Sequence, residues 1–296
     1  MKRIWASFFL LFAFFFSSKA QPYLDLISVN TQYMGTTYND SSKSRNNTQS
    51  YFIQAFIPIK LDSQNTFLTR FYGEQLSSTI SNAAYSNSTN LYCLFIGLGL
   101  QHESKNKKWK YLGMVVPRIA SDLKEKISSY DEQMGGYVVL IYNKSTTLKL
   151  KAGIYYNKDL FGNFFLPLIG LDWKINDRFS TYGLMPNFYR FEYAIAKQKI
   201  YTGLGYKGFT RSYRLNSTLD HNYVKNQEVQ LKLFVDVYLK KKFILFAEFG
   251  RTLGYSPLAY MSGSSTPYTL EPVYTSMQDN FFVNFGLAYR LRFDFN

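Results

Sequence analysis

The sequence predicts an all-β fold, an antiparallel up-and-down transmembrane β-barrel of about fourteen strands with twelve or sixteen as alternatives, and three observations predict it. The first is the C-terminal segment, where Phe281, Val283, Phe285, Leu287, Tyr289, Leu291, Phe293 and Phe295 alternate with Asn284, Gly286, Ala288, Arg290, Arg292 and Asp294. Successive side chains of a strand point to opposite faces, so one face meets an oily medium and the other meets water. A strand of a soluble sheet averages about 5 or 6 residues while one crossing a bilayer needs about 9 to 11, and the alternation from Phe281 to Phe295 outruns the first.

The second observation is composition. Aromatic residues make up 19% of the chain, with 26 Tyr and 27 Phe, yet mean hydropathy is only -0.20. A barrel dilutes its apolar content because only every other residue faces lipid, and its Tyr and Trp gather at the two interfaces. The third is the length of the connections, which sorts by parity as the elements are read in order.

Residues 1–20 form a secretory signal peptide, with Lys2 and Arg3 ahead of the apolar run Ile4–Phe16 and small residues at Ser18 and Ala20. That run is too short for a transmembrane helix of about 20 residues. The barrel domain then spans 21–296, and the absence of cysteine at its start argues against a lipid anchor. Leu24–Thr36 opens it, and the polar stretch Thr37–Thr48 leads to Gln49–Leu61, which turns at Asp62–Asn65 into Thr66–Ser77. Ser78–Thr89 leads to Asn90–His102, and Glu103–Lys107 turns into Lys108–Asp122. Leu123–Tyr130 precedes Asp131–Asn143, which turns at Lys144-Ser145 into Thr146–Leu160. The tight gap Phe161–Asn163 joins Phe164–Ile175, and Asn176-Asp177 turns into Arg178–Met185. Pro186-Asn187 joins Phe188–Ala196, and Lys197-Gln198 turns into Lys199–Arg211. Ser212–Tyr223 precedes Val224–Leu239, Lys240–Lys242 turns into Phe243–Ser256, and Pro257–Ser276 precedes Met277–Phe295. Every gap after an even strand is short, and five of the seven after odd strands are long and polar. Short periplasmic turns and long extracellular loops, with both termini periplasmic, are the rule of bacterial barrels.

Formal net charge is +14, and the leader supplies only three of the 34 basic residues. Those residues scatter through turns and strand faces instead of forming one patch, so anionic lipid headgroups and lipopolysaccharide phosphates are the expected partners, and nucleic acid is not. Barrel-assembly machinery is expected during biogenesis, and surface-complex proteins stay open. The single Cys93 excludes an intramolecular disulfide and is expected to pack inside the fourth strand. Neither a phosphate-cradling Gly-Lys-Ser/Thr loop nor a His-Glu-x-x-His or paired-cysteine signature is present, so no cofactor and no metal are expected.

Several central segments carry a resemblance. Pro117-Arg118-Ile119-Ala120-Ser121-Asp122-Leu123, Gln133-Met134-Gly135-Gly136, Tyr155-Tyr156-Asn157 and Pro167-Leu168-Ile169-Gly170-Leu171-Asp172-Trp173-Lys174-Ile175-Asn176 are four of them. With Tyr201-Thr202-Gly203-Leu204 and Ser212-Tyr213-Arg214, they resemble the uncharacterised outer-membrane β-barrel family of Bacteroidota known as domain of unknown function 6268. The resemblance implies architecture and an outer-membrane location in a Gram-negative bacterium, and no activity.

The alternation also assigns faces. If Val229, Leu231, Leu233, Val235, Val237 and Leu239 face lipid, Lys232 and Asp236 turn inward. Phe165, Ile169, Leu171, Trp173 and Ile175 likewise put Asp172 inside, and Tyr189, Phe191, Tyr193 and Ile195 put Arg190 and Glu192 inside. Arg118, Asp122, Lys149, Lys151, Asp159, Glu248, Arg290, Arg292 and Asp294 complete a nearly charge-balanced set of lumen candidates. Balance suggests pairing across strands, as between Lys232 and the diagonal Glu248, where a single-sign ring would mark a strongly selective pore. The imidazoles are His102, at a strand end, and His221, beside Asp220 and not far from Ser217, and proximity in sequence does not make a triad. No catalytic residue is assigned and no enzyme is expected. The leading expectation is a pore or facilitated transport of small solutes, the alternative is a structural or interaction barrel with no open channel, and a lipid-modifying enzyme is a distant third.

Overall fold

The computed structural model describes residues 22–37, 45–81, 86–129, 131–215, 223–260, 267–268 and 280–293. Its strands are β1 (Tyr23–Thr37), β2 (Arg45–Lys60), β3 (Asn65–Ser81), β4 (Ser86–Glu103), β5 (Trp109–Ser121), β6 (Glu132–Asn143), β7 (Leu148–Asp159) and β8 (Gly162–Lys174). They continue as β9 (Phe179–Leu184), β10 (Phe188–Ala196), β11 (Ile200–Arg214), β12 (Tyr223–Tyr238), β13 (Phe243–Tyr260), β14 (Pro267–Tyr268) and β15 (Phe281–Arg292). Strands β1 to β13 pair antiparallel in sequence order, and β15 closes the ring between β1 and β13. Since β14 is a two-residue ribbon on β13, the wall has fourteen staves. Closure follows from the solvent. In hydrocarbon an open edge would leave backbone N–H and C=O groups unpaired, at several kcal/mol each.

The outer surface is the apolar one. Along β12, Leu231, Leu233 and Val235 are exposed while Gln230, Phe234 and Asp236 are buried. Phe165, Ile169 and Trp173 on β8 and Phe281, Phe285 and Leu287 on β15 repeat the pattern. Aromatic pairs mark the two rims of this belt, as the principle of interfacial girdles requires. Phe179 with Tyr193 at 4.7 Å and Phe243 with Tyr289 at 5.2 Å stand near the short turns, and Phe249 with Phe281 at 5.5 Å stands toward the opposite end.

Three of the short turns close with a polar side chain near their start that satisfies amides the ladder has released. Asp62 accepts from the amides of Gln64 and Asn65 at 2.7 and 2.8 Å, and Asn176 accepts from those of Arg178 and Phe179 at 2.8 Å each. Ser145 serves Thr147 and Leu148 in the same way.

Three differences from the expected elements have physical reasons. Strands β2, β3, β4 and β13 run further into the polar stretches than alternation suggests, because the backbone ladder continues above the membrane where no oily face is needed. The expected last strand, Met277–Phe295, is observed as Phe281–Arg292, and Asp294 and Phe295 lie outside the described residues. The expected loop Pro257–Ser276 contributes its first four residues to β13 and its Pro267–Tyr268 to β14.

The wall is also uneven in height. Strands β9 and β10 are only 6 and 9 residues long, so β11 loses its β10 partner beyond Lys207. A strand edge without a partner seeks one. The far end of β11 meets β5 across the interior, with Arg214 beside Ser121 in a parallel bridge. The amide of Asp122 donates to the carbonyl of Arg214 at 3.0 Å, and Gln133 Nε2 donates to the carbonyl of Ser212 at 3.0 Å.

Candidate functional site: the lumenal cavity and its seal

The crossing of β11 divides the interior in two. Toward the long-loop end, Tyr72, Cys93, Ala120, Tyr213 and Val224 form a buried apolar cluster inside the ring, with Phe95 packed against it. Tyr72 stacks on Phe95 at 4.8 Å, and Tyr213 is fully buried. Around this cluster stand paired charges. Arg118 donates to Asp159 at 2.9 Å and to Gln133, and Asp159 also accepts from Ser212 and from Asn157 at 2.7 Å. Arg211 bonds Glu74, and Arg214 lies 3.5 Å from Asp131. Among the described residues this half is packed, and the small void above the cavity, about 10 Å³ beside Glu74 and Glu228, holds no more than a water.

Toward the short-turn end lies a cavity of about 570 Å³, running from Lys207 and Gln230 to a rim at Thr66, Gln101 and Phe293. Its wall is a lattice of hydrogen-bonded ions. Lys232 Nζ donates to Glu248 Oε2 at 2.6 Å, and Lys151 Nζ donates to Asp172 Oδ1 at 2.5 Å. Register explains the first pair, since Lys232 faces Gly250 and Phe234 faces Glu248, leaving the two ions diagonal. Asp236 accepts from Arg290 at 2.5 Å and from Arg190 at 3.3 Å, while Arg190 reaches Glu248 at 3.6 Å. Arg290 also forks onto both oxygens of Asp25, at 2.5 and 3.0 Å, and lies 3.5 Å over the ring of Tyr23. Below it, Arg292 pairs with Glu192 and lies 3.5 Å over Tyr201.

Thirteen of the expected lumen residues are described, and each is buried or half-buried. Arg118, Asp122 and Asp159 belong to the seal, where Asp122 lies 3.9 Å from Lys124. Lys149, Lys151, Asp172, Arg190, Lys232, Glu248 and Arg290 line the cavity, and Glu192, Asp236 and Arg292 are buried with them. Asp294 lies outside the described residues. Interior ions that the sequence reading passed over are Asp25, Arg70, Glu74, Lys110, Asp131, Lys207, Arg211, Arg214 and Glu228. Arg70, Glu74, Lys207 and Arg211 sit where the inward face is aromatic as well as charged, while Glu228 continues the polar inward face of Asn226, Gln230 and Lys232. On β11 the inward series is Tyr201, Gly203, Gly205, Lys207, Phe209, Arg211 and Tyr213, which has no polar period to read. Counting every second residue from Tyr201, the register partner of Asp236, finds Lys207 and Arg211. The expected charge balance is corrected in one respect: eight basic side chains and three carboxylates line the cavity itself.

His102 Nδ1 lies 2.8 Å from Asn65 Oδ1 at an exposed strand end, and His221, Asp220 and Ser217 lie outside the described residues. Cys93 is buried in the seal.

Among curated proteins none matches the chain. Among solved structures it is similar to the COG4313 outer membrane channel from Pseudomonas putida F1, at 9% identity and a TM-score of 0.48 over 92% of this chain and 98% of that one. It is similar to the toluene transporter TodX of P. putida, at 11% identity and a TM-score of 0.45 over 90% of this chain and 89% of that one. The translocator domain of the autotransporter NalP from Neisseria meningitidis matches at 13% identity and a TM-score of 0.35, over 98% and 94%. The family model described as "Domain of unknown function (DUF6268)" matches residues 16–290, and the chain belongs to that family.

Proposed function

We propose that this barrel carries small solutes across the outer membrane of a Gram-negative bacterium of the Bacteroidota, after removal of a leader ending at Ala20. The cavity is the observation that carries the reading. A barrel serving only as a wall has no need of about 570 Å³ of charge-lined space open toward the short-turn rim. The apolar belt would touch lipid and lipopolysaccharide, and barrel-assembly machinery would insert it. Passage then requires the β11 crossing to swing off β5, so the described state is the closed one.

The packed seal supports a second reading, a structural or interaction barrel without a channel. Single-channel recording in planar bilayers separates the two. The transport reading expects brief openings in the wild type and larger, longer ones in Tyr213→Ser, which removes the ring at the centre of the seal. Silence from both proteins, with the variant folded, would establish the structural barrel instead.

A further inference from the structure

The eight cations of the cavity are not equally matched. Lys110 pairs with Glu103 at 3.4 Å, Lys151 with Asp172 at 2.5 Å and Lys232 with Glu248 at 2.6 Å, while Arg190 and Arg290 share Asp236. Arg70, Lys149 and Lys207 make no ion pair among the described residues. Arg70 reaches Gln54 at 3.5 Å and lies over Phe95, and Lys207 lies over the rings of Phe52 and Phe209 with Glu228 as its facing carboxylate.

Lys149 is the most exacting of the three. It is buried, 8% exposed, and its direct cross-strand partner Asp172 is held by Lys151. Lys110 and Lys151 both stand opposite Ile141, on either side of β6, so three lysines gather at one wall, flanked by Glu103 on β4 and Asp172 on β8. Lys149 lines the cavity, and an ammonium held in such a confined space without a bonded counter-ion is costly, a cost that an incoming anion lowers.

We propose that the cavity is a vestibule for small organic anions, whose carboxylate or phosphate oxygens are received by Lys149 with Lys110 and Lys151 beside it. Phe56, Tyr137 and Phe246 supply the apolar wall for the rest of the molecule. The proposal deepens the transport reading and rests on it for its physiological meaning.

Isothermal titration of the full barrel in detergent at low salt, with inorganic phosphate and with benzoate as probes, is the direct test. Saturable binding of both is expected, with benzoate the tighter because it also uses the aromatic wall. Lys149→Gln should weaken both about tenfold, the usual worth of one charge-assisted hydrogen bond. Lys149→Arg should retain binding, and Lys124→Gln, at the opposite end, should leave it unchanged. Heat-modified gel migration reports folding, and Lys110→Gln serves if Lys149→Gln does not fold. Absence of binding in the wild type, or equal binding by folded Lys149→Gln, overturns the proposal. Reversal potentials across a tenfold KCl gradient add a second readout, with anion preference expected and cation preference contrary. Anion binding without conductance in any variant would keep the vestibule and remove transport, and conductance without anion binding would do the reverse.

Discussion

The carbonyl of Arg214, at the end of β11, accepts the amide of Asp122, just past β5, at 3.0 Å, although the wall places five staves between their strands. The contact exists because β9 and β10 stop early and leave one edge of β11 bare. Lengthening the β9–β10 hairpin at Pro186-Asn187 by two residues on each arm would offer that edge its normal partner. Higher conductance than the wild type is expected in planar bilayers, and an unchanged trace would show that the crossing does not depend on the low wall.

Asp159 ties the seal together, since it receives Arg118, Asn157, Ser212 and the amide of Leu160. Asp159→Ala would leave Arg118 buried without a counter-charge, a loss of about 3 to 5 kcal/mol. Equilibrium urea unfolding in a defined lipid would read it, and Asp159→Asn, which keeps the shape, should fall between.

Asp236 holds Arg190 and Arg290 together, so Asp236→Ala should destabilise by a similar amount, about 3 to 5 kcal/mol. Part should return in Asp236→Ala with Arg290→Leu, because removing both members of a buried pair is far milder than removing one. If the double variant is no more stable than the single, the two arginines are not coupled through this carboxylate.

Leu233 is 56% exposed on the outward face of β12. Leu233→Arg should cost about 2 to 4 kcal/mol if the position lies at the bilayer midplane, against near zero for an arginine at the rim. Folding free energies in lipid vesicles check this, and an equal effect at both depths would refute the placement of the belt.

Asp177 projects from a short turn with Lys174 and Lys197 each 3.2 Å away, and their hydrogen bonds hold its carboxyl below the usual aspartate range. A depressed carboxylate stabilises the folded turn above its unfolded value and loses that contribution as pH falls through the folded value. Carbon-detected NMR titration should show a low midpoint that rises in Lys197→Ala and in high salt, since exposed pairs are screened. Asp62 should also titrate low but stay there in salt, because its first cause is the side-chain hydrogen bond from Asn65.

The faces of β8, β10, β12 and β15 were legible because their inward and outward solvents differ, so a two-residue period in polarity records the geometry directly. Lys232, Asp236, Asp172 and Glu192 could be placed inside on that ground alone. Arg70 and Glu74 on β3 and Arg211 on β11 could not, because Leu68, Tyr72, Leu76 and Tyr213 make the inner face of those strands as apolar as the outer. From Tyr72 upward that exception is the seal itself. A dry core inside a barrel erases the alternation that advertises a barrel.

Local pattern therefore determined the closed antiparallel wall, its apolar outside and the alternation of short and long connections, since each depends only on neighbours along one strand or across one turn. Tertiary structure decided the crossing of β11 to β5, the division into a packed half and a hollow half, and the choice of counter-ion for each cation. Those depend on which staves face one another across the ring, and two residues such as Arg190 and Tyr23, 167 positions apart, become neighbours only when the ring has closed.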